Sequence, residues 1–209
     1  MSFAKILSVN LKHNFLIHFV LAVAVAVLTP VVFSISSLDA RASAQPLEML
    51  LSFVGTILLT PIFLPEQNHE IRDVIRSKKT DYLLVCAIRV MYSVLAVILI
   101  TGIFVLVMKY CECDVTWKHF IGSLASSLFL GTIGFSVAGL SSSVSAGYMA
   151  SMVYYATNIG LKDKLGICYL FSMYSGGDFS DKYLLILLSV IIIAIVFIIL
   201  RKYLHGHLM

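Results

Sequence analysis

The sequence predicts an all-α, polytopic membrane protein with about six transmembrane helices, an interfacial helix at the N-terminus and one charged helix on the cytoplasmic side. Three observations carry this expectation. The chain is 60 % hydrophobic and only 12 % charged over 209 residues, where ordinary soluble domains are about one quarter charged. Its mean hydropathy is +0.98. An uninterrupted apolar run without charge or proline, Tyr183 to Leu200 (YLLILLSVIIIAIVFIIL), stops at Arg201-Lys202. At about 1.5 Å per residue such a run crosses a hydrocarbon core of roughly 30 Å.

Repeated stretches of this kind divide the chain into a single transmembrane domain, residues 1–209. The expected spans are about 15–36, 47–64, 82–108, 118–139, 144–161 and 183–200. The fifth is the least apolar, being rich in Ser, Gly and Tyr. The apolar run from Phe15 to about Ser36 is too long for the core of a secretory signal, so the first span is expected to stay uncleaved. No polar stretch is long enough for a nucleotide-binding fold. The net charge of +4 does not point to nucleic acid, because the basic residues sit at span ends, where they set orientation. With both termini inside, the inner segments carry eight Lys and Arg against six outside, Lys182 among the latter. The bias places both termini in the cytoplasm.

In residues 1–14, Phe3, Ile6, Leu7 and Leu11 share one helical face and Lys5, Ser8 and Lys12 lie opposite. This predicts an amphipathic helix in the interface. The stretch 66–80 (EQNHEIRDVIRSKKT) follows Pro65, a residue favoured at helix starts. Ile71, Val74 and Ile75 form an apolar stripe at i, i+3, i+4, framed by Glu66, Glu70, Arg72, Asp73 and Arg76. Acids preceding bases support a short helix, and an apolar stripe with a charged rim suits a groove on a partner. Residues 162–182 are long for a loop and carry ten mostly apolar residues, Leu165 to Tyr174, too few to cross. They are expected to form a re-entrant or interfacial element on the outer side, with Gly176-Gly177 as a turn. Small residues crowd spans four and five, from Gly122 to Ser151, and let helix backbones approach closely.

Catalytic and metal motifs are not recognisable. His69-Glu70 begins a zinc-protease pattern, but Asp73 stands where the second His belongs. Glu48 is read at the outer edge of span two, which leaves no acid inside a span and argues against an ion-coupled carrier. Arg89 is the one charge inside a span; with Tyr92, Ser151, Tyr154, Tyr155 and Asn158 it makes up a candidate translocation path. No cofactor and no metal is expected in this chain. Cys111 or Cys113 bridged to Cys168, and free thiols, both stay open.

Taken together, the N-terminal interfacial helix, six spans, the charged helix after span two and the half-inserted outer segment before span six resemble the permease subunit of a type-2 ATP-binding-cassette exporter. The stretch Leu64 to Lys79, with Glu66 opening an E…R…I…SK pattern, is similar to the coupling-helix region of that family. The resemblance implies a transport subunit of a bacterial cell membrane, not itself an enzyme. ATP and Mg would be bound by a separate cytoplasmic ATPase. Ile71, Val74 and Ile75 would seat in that ATPase, with Glu66, Glu70, Arg72, Asp73 and Arg76 at the rim. A second permease subunit, identical or sister, would complete the pathway for a peptide, lipid or drug-like substrate. The competing expectation is a stand-alone membrane interaction or immunity protein with no ATPase.

Overall fold

The computed structural model describes residues 15–67, 82–177 and 179–206, and all of the regular structure among them is helical. The elements are α1 (Leu16–Phe33), α2 (Ala40–Met49), α3 (Phe53–Leu59), a 3-10 stretch (Thr60–Gln67), α4 (Tyr82–Tyr110), α5 (Trp117–Ser141), α6 (Val144–Leu161), a second 3-10 stretch (Lys162–Cys168), the single turn α7 (Ser172–Ser175) and α8 (Ser180–Gly206). Five helical stretches are long and apolar enough to cross a membrane: Leu16–Phe33, Ala40–Pro65, Leu83–Tyr110, Trp117–Ser141 and Ser180–Lys202. They make this a membrane-embedded, multi-pass helical protein. The expected interfacial helix at 1–14 and most of the charged helix at 66–80, including Glu70, Ile71, Arg72, Asp73, Val74, Ile75 and Arg76, lie outside the described residues.

Two boundaries differ from expectation, each for a physical reason. The second span begins at Ala40, not near 47. The sequence ARASAQ reads as a loop, but Asp39 caps the helix by accepting from the Ala42 N–H at 3.2 Å, which satisfies one of the four orphan donors of a first turn. The helix Val144–Leu161 forms where the fifth span was expected, yet it is not among the five stretches apolar enough to cross. Its serines, tyrosines and Asn158 lower its hydropathy, and several of them have protein partners described below.

α5 is the central element. It packs against α2, α3, α4, α6, α8 and the Thr60–Gln67 stretch. The reason is its small residues. A Cβ on Gly131 would stand 2.5 Å from the Gly55 carbonyl oxygen, and one on Gly55 would stand 1.8 Å from that of Ser127. On the other face, a Cβ on Gly147 would come within 2.5 Å of the Gly134 carbonyl oxygen. Helix backbones therefore touch without intervening side chains, as small residues allow in membranes. By contrast α1 and α8 are peripheral: 11 % and 17 % of their most apolar windows are buried. Their outward Val, Leu and Ile side chains suit lipid contact.

The connection from α5 back to α2 is fixed by His119. Its Nε2 lies 2.7 Å from the Ala40 carbonyl, to which it donates, so Nδ1 is left to accept the Thr116 N–H at 3.1 Å. One imidazole thus caps α5 and ties it to the start of α2.

Candidate functional site: a buried polar network under the 162–177 segment

Between α6 and α8 the chain packs Tyr169, Leu170 and Phe171 back into the bundle. It makes the 3-10 stretch, reverses, and forms the single turn α7. Irregular backbone in an apolar setting must find partners for its N–H and C=O groups, and here side chains from four helices supply them. Tyr154 of α6 donates its hydroxyl to the Cys168 carbonyl. Asn158 of α6 accepts the Leu170 N–H at 2.8 Å while its own amide donates to the Tyr154 carbonyl at 2.9 Å. Ser126 of α5 donates to the Leu170 carbonyl at 2.8 Å. Arg41 of α2 donates to the Tyr174 and Ser175 carbonyls at 2.8 and 3.1 Å.

At the centre is an ion pair that sequence reading did not foresee. Lys182 Nζ lies 2.6 Å from Glu48 Oε1, and the two side chains are 0 % and 1 % exposed. The ammonium also donates to Ser126 Oγ and to the Leu170 carbonyl, so all three of its donors are used. Glu48 accepts the Met173 N–H on Oε1 at 3.1 Å and the Tyr174 N–H on Oε2 at 2.9 Å. A buried charge is tolerated only when paired and hydrogen-bonded, and both conditions are met. Glu48 therefore lies inside the helical span Ala40–Pro65 and not at its edge, and Lys182 lies in α8, not in a loop. Contrary to the expectation from sequence, an acid does lie within a span, so the absence of one cannot count against an ion-coupled carrier.

Apolar packing completes the site. Tyr169, Leu170 and Phe171 are buried with Ala125, Phe129, Leu130 and Leu185 in a cluster separate from the main core. Tyr155 packs against Phe53 and Phe171, with ring centroids 4.4 and 5.4 Å away, and donates its hydroxyl to the Met49 carbonyl at 3.1 Å.

The residues expected to line a path divide into two places. Ser151, Tyr154, Tyr155 and Asn158 lie along α6. Ser151 and Asn158 are fully buried, and Ser151 donates to the Leu130 carbonyl at 3.1 Å. All four have protein partners. Arg89 and Tyr92 stand apart on α4. Arg89 is 5 % exposed and donates to the Ile62 carbonyl at 2.9 Å; the Tyr92 ring meets Phe15 edge-on at 4.6 Å. Both border a cleft with His18 and Pro65 that has room for about 20 Å³, roughly one water. Glu66 falls within the first 3-10 stretch. All four cysteines are free thiols. Among the described residues no three His, Cys, Asp or Glu side chains gather to hold a metal.

The signal for Glu48 was a single acid inside the run PLEMLLSF, and for Lys182 a base directly ahead of the longest apolar run. Neither names its partner. No protein-family model matches this chain, and neither does any curated protein or solved structure compared with it.

Proposed function

We propose that this chain is the membrane permease subunit of an ATP-driven exporter of the type-2 cassette class, working with a cytoplasmic ATPase and a second permease subunit. The observation that supports the reading best is the 162–177 segment. A short irregular element with buried residues, hydrogen-bonded to α2 and α6, stands directly ahead of the last apolar helix, which suits the half-inserted segment that the resemblance implies before span six. The charged stretch 66–80 adds sequence-level support, since an apolar stripe with a polar rim is suited to a groove on a soluble partner. Six crossings, with α6 as the fifth and both termini in the cytoplasm, belong to the same proposal. The chemistry of ATP hydrolysis would reside in the partner; this chain would convert its closure into displacement of helices.

The test is affinity capture from mildly solubilised membranes, wild type beside Ile71→Asp/Ile75→Asp. Co-recovery of a cassette ATPase with wild type, lost in the variant at equal permease abundance, is the expected outcome. If neither form brings down an ATPase with nucleotide present, the reading gives way to a stand-alone membrane protein.

A further inference from the structure

We propose that residues 167–177 form a hinged strap, and that the Glu48–Lys182 pair is the latch that holds it seated against α5 and α6. The strap is bounded by two backbone turning points. Gly166 has φ +53° and ψ −127°, and a Cβ there would meet nothing within 4 Å; Gly176 has φ +83°, with only the Arg41 guanidinium as close as 3.9 Å. Crowding does not explain these glycines. Their positive φ does, because L side chains rarely adopt it. Between them, Tyr169, Leu170 and Phe171 sit in their own apolar cluster, separate from the main core. The strap can therefore leave without opening the contacts among α1, α3 and α4.

Beside the bonds from Tyr154, Asn158 and Arg41, the pair supplies its own set of holding contacts. Glu48 takes the Met173 and Tyr174 N–H groups; Lys182 takes the Leu170 carbonyl and, through Ser126, a second bond to the same oxygen. A fully apolar seat would hold the strap as well, since buried ion pairs add little net stability over an apolar replacement. What charges add is reversibility. Once the strap lifts, carboxylate and ammonium regain water, so the lifted state escapes the penalty of an unpaired buried charge. This device stands on the geometry alone and does not depend on the transport reading.

The test uses the full chain in membrane vesicles. Cys168, half-buried at the start of the strap, is alkylated with a polar maleimide and quantified by mass spectrometry. Cys111, half-buried in the α4–α5 turn, serves as reference in the same molecule. Lys182→Met is expected to raise the Cys168 rate at least about tenfold with Cys111 unchanged. Arg41→Gln removes two surface bonds to the strap and leaves the pair intact; it is expected to raise the rate about threefold, while Glu48→Gln/Lys182→Met, which removes the latch without leaving a lone buried charge, is expected to raise it more than Arg41→Gln does and decides the matter if Lys182→Met does not accumulate. Equal Cys168 rates in wild type and the accumulating variants overturn the proposal. So does a parallel rise at Cys111, which would make the pair a tie for the whole bundle.

Discussion

The Glu48–Lys182 pair is asymmetric in what its two halves lose. Glu48→Gln keeps an amide oxygen for one backbone N–H but leaves the ammonium buried without a counter-charge. Breaking one side of such a pair costs about 3–5 kcal/mol. The double variant Glu48→Gln/Lys182→Met removes both charges and should recover more than half of that loss. Thermal unfolding in detergent, read as a double-mutant cycle, checks this; additive losses would show that the two side chains act independently. His119 gives a smaller version of the same logic. His119→Ala strands the Ala40 carbonyl and the Thr116 N–H, and a loss of about 1–3 kcal/mol is expected by the same measurement. Neither interaction was legible in the sequence. Glu48 and Lys182 are more than a hundred residues apart, and each alone reads as an ordinary flank. Asn158 and Tyr154 are expected from sequence on a translocation path; in the fold their side chains hydrogen-bond backbone groups of the 168–170 stretch. Their partners, the Cys168 carbonyl for Tyr154 and the Leu170 N–H for Asn158, were not foreseeable, because a backbone group carries no sequence signature.

At the level of elements, run length anticipates the long helices among the described residues, and the differences lie where polar residues are buried. The ARASAQ start of α2 reads as loop by hydropathy, yet Ser43 and Ala44 are fully packed and Ser43 donates to the Leu38 carbonyl at 3.3 Å. The small-residue stripe of α5 was legible as a packing face, but its partner, Gly55, was not among the residues singled out. Two substitutions separate crowding from helix propensity. Gly131→Val would drive its Cβ into the Gly55 backbone, and backbone cannot rotate aside; folded yield in mild detergent should fall sharply, with a loss of about 3 kcal/mol or more. Gly160→Ala in α6 meets open space and should raise stability by up to about 1 kcal/mol. A common loss for both would mean that helix dynamics, not clearance, set the outcome.

For the whole molecule, the fold class was legible because a bilayer tolerates so few solutions: backbone that meets lipid must be helical or closed into a barrel. The count of crossings was not, because α6 meets the length of a span without its hydropathy. Its status can be measured directly. In sealed vesicles of one orientation, Ser141→Cys, exposed at the end of α5, and Cys168, beyond α6, should label from opposite faces if α6 crosses, and from the same face if it does not. The expected result is opposite faces.

The distance along the chain between Glu48 and Lys182 also has a consequence for biosynthesis. A ribosome adding about 5–20 residues per second reaches Lys182 roughly ten seconds after Glu48 has been made. Through that interval the carboxyl group must enter, or wait beside, the membrane without its counter-ion. An acid at a helix centre adds roughly 2.5–3.5 kcal/mol to insertion, and the neighbouring leucines of Ala40–Pro65 offset it. The newborn first half is therefore committed to the bilayer before the residue that neutralises it exists, and arrival of the last helix completes its assembly.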